Sequence, residues 1–289
     1  MQQPMTSNPA DELLAGNSDR SFLLEKLQNL SVSMLRAATT AMYRRNPSSQ
    51  PSFVEMSGGY LGFSGSDVPL TRAVGIGTSR AVEPKDMVGI ETFYRSRNSP
   101  VRIVISERTH PCVEALLKAR KYDAGGYLDN WWRPLTGPSE TPGSSEIEVT
   151  RATHSEASLW VRTVAAGFHE QDLPLDETVL PPRLLDTFYC LGFADGAHPF
   201  IAWRNGQPAG GGVLHIDSDV AHIRTTSCRL AHRCHGVQTA LLAARLEAAF
   251  KAGCKLAFSS TEGAGSSARN LARFKFTPLS VSFTMSTPN

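Results

Sequence analysis

Several things are scarce in this 289-residue chain, and each scarcity removes a class of explanation. No stretch of about 18 consecutive apolar residues occurs, so nothing reads as a membrane-spanning helix. Excess charge is missing: 29 Lys and Arg against 27 Asp and Glu leave +2, too little for a sequence-independent grip on nucleic-acid phosphates. Cysteine is sparse, odd in number and never in a CxxC pair. Cys112, Cys190, Cys228, Cys234 and Cys254 therefore read as reduced thiols of a cytoplasmic protein. The opening MQQPMTSNPADELLAGNSD has no basic-then-apolar pattern of a secretory signal. What is present is ordinary: 41% hydrophobic and 19% charged residues, enough for a sizeable core. At about 150 residues per domain, the length predicts two domains.

The division falls at Pro134–Ser145, PLTGPSETPGSS, where proline, glycine and hydroxyl residues disfavour both helix and strand. The expected domains are 1–134 and 146–289, with 135–145 as linker. In the first half, Phe22, Leu23, Leu27, Leu30, Met34 and Leu35 recur at helical spacing and predict a helix over 20–39. Short strands are predicted at 52–56, around 70–76, at 101–106 and at 126–132. Helices are predicted at 84–95, opened by Pro84, and at 112–120. In the second half, a strand at 147–152 and a helix at 154–168 precede a proline-rich acidic loop at 169–182. Strands at 199–204, 207–216 and 220–227 follow, the first two joined by Asn205-Gly206 and the next two by Asp217-Ser218-Asp219. A helix over 237–252 is stopped by Gly253, and a strand at 256–260, a helix at 267–273 and a strand at 279–285 complete the chain. That order is α/β with an antiparallel meander, not the strict alternation of a doubly wound fold.

The chemistry concentrates at Arg233-Cys234-His235-Gly236-Val237-Gln238-Thr239-Ala240, between a strand and the strongest helix. There a glycine either eases a tight turn or lets backbone approach an anion held by the helix's free N–H groups, with Arg233 adding charge. The loop is neither GxxxxGK[ST] nor GxGxxG. It resembles the Q/R-x-x-G-x-G/A signature of the GNAT superfamily of acetyl-CoA-dependent N-acetyltransferases, with Gln238 where glycine or alanine is usual. Thr261–Pro278 resembles that family's second motif, with Lys275-Phe276 in place of Gly-Phe and Ser266 near the usual pantetheine-contacting asparagine. The first half, through Leu70–Gly77, Leu116–Tyr122 and Trp132–Leu135, resembles a degenerate GNAT domain without an acetyl-CoA loop. The resemblance thus implies two GNAT-like domains in tandem and a mixed sheet, with one working site.

It further implies direct attack of an amine on the acetyl thioester in a ternary complex, with acetyl-CoA as co-substrate and no metal. Thr226, Ser227 and Cys228 would hold pantetheine through backbone. Arg233, Cys234, His235, Gly236, Val237, Gln238 and Thr239 would hold the pyrophosphate, and Ser266 and Asn270 would flank the thiol arm. For the base, His222 lies where histone-type members carry glutamate, and an imidazole near pKa 6.5 suits the task. Glu262 is the second candidate, and Glu170 and Asp172 are further ones. Leu271 occupies the position of the usual general-acid tyrosine, which leaves Ser266, Ser267 or water to protonate the thiolate. Cys228, His232, Cys234 and His235 are clustered, but they come from too short a segment for paired zinc-ligand spacing. Trp131-Trp132 reads as core that seals the interface between the halves. The expected acceptor is a small-molecule amine, which the acidic loop 170–177 would suit if cationic; nucleic acid and membrane are not expected partners. The competing readings are a non-catalytic acyl-CoA-binding protein and a transferase for longer acyl-CoAs.

Overall fold

The apolar period that begins at Leu23 does not stop at residue 39. Ala38, Ala41 and Met42 continue it, and all are buried. Helix α1 accordingly runs Asn17–Arg45 and ends before Asn46-Pro47, where the proline ring disfavours helical geometry at the preceding residue. The computed structural model describes residues 17–66, 68–137, 146–169 and 181–287.

After α1 the first half continues with β1 (Ser52–Met56), β2 (Gly59–Phe63), β3 (Arg72–Val74), α2 (Pro84–Arg95), β4 (Arg102–Ile105), α3 (Pro111–Ala119) and β5 (Asp123–Pro134). The second half comprises β6 (Ile147–Arg151), α4 (Ala157–Phe168), α5 (Pro182–Phe193), β7 (Ala197–Arg204), β8 (Gln207–Asp217), β9 (Val220–Cys228), α6 (Val237–Lys251), β10 (Leu256–Thr261), α7 (Ser266–Arg273) and β11 (Thr277–Ser286). Two elements differ from the sequence expectation. Strand β2 is glycine-rich and follows a Ser57-Gly58 turn, so it lacks the β-branched signature of a strand. Helix α5 buries the small Thr187, Cys190 and Gly192, which leaves little apolar period to read.

The halves repeat one plan. An antiparallel meander (β1-β2-β3; β7-β8-β9) leads to a helix, a strand parallel to the meander's last strand, a second helix and a final strand. All eleven of these strands form one sheet, ordered β1-β2-β3-β4-β11-β5-β10-β9-β8-β7-β6. Its centre is an exchange: β11 of the second half pairs with β4, and β5 of the first half pairs with β10, while β5 and β11 pair with each other. Each half therefore covers an edge that the other would leave with unpaired backbone groups. Trp132 on β5 is buried here, in a cluster that also contains Phe258, Leu279 and the α1 residues Leu23, Leu27, Leu30 and Met34. Trp131 donates from Nε1 to Thr261 Oγ1 at 3.0 Å. The connection leaving β5 starts as ordered chain, with Leu135 buried and its N–H on the Lys255 carbonyl at 2.8 Å. The rest of the sequence linker, 138–145, lies outside the described residues.

Candidate functional site

The parallel pairing of β9 with β10 runs only from Val220–Ile223 against Leu256–Ser259. Beyond it the strands part. Ser260 and Thr261 stay paired to β5, while β9 continues along β8 through an irregularity, with Thr225 at φ 50°. The facing edges of Arg224–Cys228 and Ser260–Thr261 thus form a gap in the sheet, where main-chain polar groups are available to a guest.

Arg245 of α6 holds this irregularity. It is buried, donates from Nε to Leu241 O at 2.8 Å, and donates from Nη1 to Thr226 Oγ1 (2.8 Å), Arg224 O (3.1 Å) and Val213 O (3.3 Å). Gly212 makes room for it, since a Cβ there would lie 2.5 Å from Nη1. Burial lowers the Arg245 pKa to about 9. The sequence signal was visible in retrospect: a lone arginine between Leu241, Leu242 and Leu246 on the buried face of α6.

Downstream of β9 the chain turns through Leu230–His232, takes left-handed backbone at Cys234 (φ 63°) and Gly236 (φ 83°), and enters α6. Gly236 caps the helix without a side-chain bond, and no acidic residue occupies the first turn. The first helical bond runs from Ala240 N–H to Gly236 O at 2.9 Å. The N–H groups of Val237, Gln238 and Thr239 thus point forward without intrahelical partners, an anion seat by geometry and by dipole. Arg233 braces the loop, with Nη2 on Gly167 O (3.3 Å) and Nε on Cys228 O (3.5 Å).

Two cavities meet here. One, of about 610 Å³, lies over the loop and is walled by Thr226, Ser227, Cys228, Arg233, Cys234, Gly236, Val237, Gln238, Thr239, Ser266 and Asn270, among others. The other, of about 490 Å³, opens at the strand gap, between Arg224–Thr226 and Ser259–Glu262, with Leu128 of the first half on its wall. Phe168, Thr226, Gln238, Ser266 and Asn270 belong to both walls, so the loop and the gap share one channel. Gln238 accepts a hydrogen bond from Asn270 Nδ2 at 3.0 Å, which ties the start of α6 to α7 beside it.

The sequence candidates sort accordingly. Of the proposed binding residues, His235 alone is on neither wall. Of the two proposed bases, Glu262 is exposed on the wall of the gap cavity. His222 is not on it: the ring is buried toward α1, with Nδ1 3.0 Å from Met34 Sδ. Burial, reinforced by Arg224, pushes its pKa well below the usual imidazole value. His222 is held against Met34 on the α1 side of β9, and the part of β9 that lines the cavity begins one residue later, at Ile223. Leu271, in place of a tyrosine, is buried in the α6 core and touches the cavity. Ser267 is on the same wall. Glu170, Asp172 and the acidic run to 177 lie outside the described residues. Burial raises the Cys228 thiol to about 11, which keeps it protonated. Among the described residues no group of three or more His, Cys, Asp or Glu is placed to hold a metal, and no helix is long and apolar enough to cross a membrane.

Residues 165–276, which contain both the loop and the gap, match the profile of the acetyltransferase (GNAT) family. This segment is a GNAT-family domain. The fold of the whole chain is similar to that of a GCN5-related N-acetyltransferase from Kribbella flavida, at TM-score 0.60 and 15% identity over 88% of this chain and 96% of that one. It is similar as well to a functionally unknown conserved protein from Staphylococcus epidermidis, at 0.58 and 10% over 83% and 95%. A tandem GNAT protein from the clavulanic acid biosynthesis pathway aligns at 0.55 and 15% over 79% and 78%. No curated protein sequence matches. The duplicated plan of the sheet is thus a tandem of GNAT folds, and the GNAT domain's loop and strand gap lie in its second copy.

Proposed function

We propose that the GNAT domain is an acetyl-CoA-dependent N-acetyltransferase whose acceptor is a small-molecule amine. The observation that carries this reading is the channel shared by the helix-start anion seat and the gap between β9 and β10. The co-substrate supplies an activated acyl group. The chain supplies the rest: N–H groups of Val237, Gln238 and Thr239 for the pyrophosphate, and the gap-facing edge of Thr226–Cys228 for the pantetheine arm and the thioester carbonyl. In a ternary complex the amine nitrogen forms the C–N bond as the C–S bond breaks. The Glu262 carboxylate takes the ammonium proton, and the thiolate takes one from water, since Leu271 has none to give. A cavity of about 490 Å³ suits a small acceptor. The unpaired cysteines fit a reducing, cytoplasmic setting.

A second reading, acyl-CoA binding without turnover, draws on Leu271 and on the Gln238–Asn270 bond beside the thiol path. A screen of amines for CoA release from acetyl-CoA and longer acyl-CoAs separates the two. Transfer is expected with wild-type protein and a loss of about tenfold or more for Glu262→Gln. Acetyl-CoA binding without CoA release from any amine would establish the second reading instead.

A further inference from the structure

The gap cavity borders an imbalance of charge. Arg224 lies on its wall, and the hydrogen bond given for its guanidinium runs from Nη1 to the thioether of Met34 at 3.2 Å, a weak acceptor. Arg72, from β3 of the first half, has its Nε buried without a partner. Burial, with a smaller contribution from the like charge of Arg72, lowers the Arg224 pKa to about 10. Next to them, His222 and His215 face each other across β9 and β8, each with Nε2 buried and unpartnered. Among the described residues no carboxylate forms an ion pair with Arg72 or Arg224. Half-buried guanidinium groups ordinarily have such a partner, because the desolvation is otherwise uncompensated.

We infer that the missing partner is the acceptor's own carboxylate: Arg224, backed by Arg72, receives the anionic group of an amino-acid-type amine whose nitrogen faces the thioester. The inference rests on the transferase reading and narrows its acceptor. It gives the first half an indirect part in recognition, since Met34 of α1 holds the Arg224 guanidinium and Arg72 of β3 adds positive charge behind it. A purely cationic amine would meet like charge there, whereas a guanidinium matches a carboxylate in two-pronged geometry.

The test pairs free amino acids with their carboxamides. CoA release is measured for both, and calorimetry compares binding of N-acetyl amino acids with N-acetyl amino-acid amides, a readout independent of turnover. Acids are expected to exceed amides by about tenfold to a hundredfold in kcat/KM and in affinity, the range of a charge-assisted hydrogen bond. Arg224→Met removes the difference, Arg224→Lys retains part of it, and Arg72→Met diminishes it. Acetyl-CoA affinity, measured alongside, tests the transferase reading separately: its absence would strike that reading while the N-acetyl ligands still decide the carboxylate. Equal handling of acids and amides by wild type, or a preference that persists in a folded Arg224→Met protein, overturns the inference. If Arg224→Met does not fold, the Lys variant and the wild-type comparison decide.

Discussion

Helices α2 and α6 occupy the same place in the two repeats, directly after the last meander strand, and they treat their first turns in opposite ways. At α2, Pro84 fills the first position and Asp86 the third. The Asp86 carboxylate accepts from the Glu83 N–H at 2.9 Å and from both Nη atoms of Arg80 at 2.9 and 3.0 Å. These bonds hold Asp86 well below the usual carboxylate range, the Arg80 contact contributing most. The first half thus places its own anion at the helix start. At α6 the equivalent positions hold Val237 and Thr239, Gly236 offers no side-chain cap, and a cavity of about 610 Å³ lies in front. The same dipole and the same orphan N–H groups stabilise the chain in one copy and stay available to a ligand in the other. The strands that feed the helices differ in step. β3 has 3 residues and meets β4 at the single pair Ala73–Ile103, whereas β9 has 9 residues and bulges away from β10.

The contrast can be broken most severely at Gly236. At φ 83° a β-branched side chain is strained and enters the anion seat, so Gly236→Val is expected to weaken acetyl-CoA binding about a hundredfold by calorimetry. The halves also differ in acid sensitivity. The first half has only His110, which is exposed, while the second buries His215, pushed down to about 4 by burial and Arg224, and His222, shifted the same way. Because the folded protein binds these protons more weakly than the unfolded chain, their contribution is complete above pH 6.5 and declines below it, the His215 part being lost as pH falls toward about 4. The His215 share approaches about 3 kcal/mol. Urea unfolding at a series of pH values should show it, with a flatter profile for His215→Gln. Exchanging the caps is the subtler test. Thr239→Asp copies Asp86 into α6 and should lower acetyl-CoA affinity about tenfold while leaving thermal stability level or slightly higher. Asp86→Asn should lower stability by about 1 kcal/mol and leave acetyl-CoA affinity unchanged.

How much of this was legible in the residues follows from the range of the interactions involved. Helix α2, bounded by Pro84 and Arg95, and the hairpin at Asn205-Gly206 are set by local preferences, and the structure has them where the sequence predicts. The glycine turn into α6 was legible for the same reason, since glycine before an apolar helix is a local signal. The exchange of β5 and β11 was not, because strand partners more than a hundred residues apart leave no periodic mark. Nor was the setting of Arg224: α1 brings Met34 to its guanidinium, and alone it reads as an ordinary strand arginine. His222 shows the limit of matching by position. Its place in the strand was as expected, but its ring is buried against Met34, and the cavity that Glu262 lines does not reach it.

The claim that one copy keeps its helix start open and the other fills its own has a direct measure in calorimetric titration of the full chain with acetyl-CoA. One binding site per chain, weakened by Thr239→Asp and untouched by Asp86→Asn, is the predicted result. Two sites per chain, or a single site indifferent to Thr239→Asp, would contradict it.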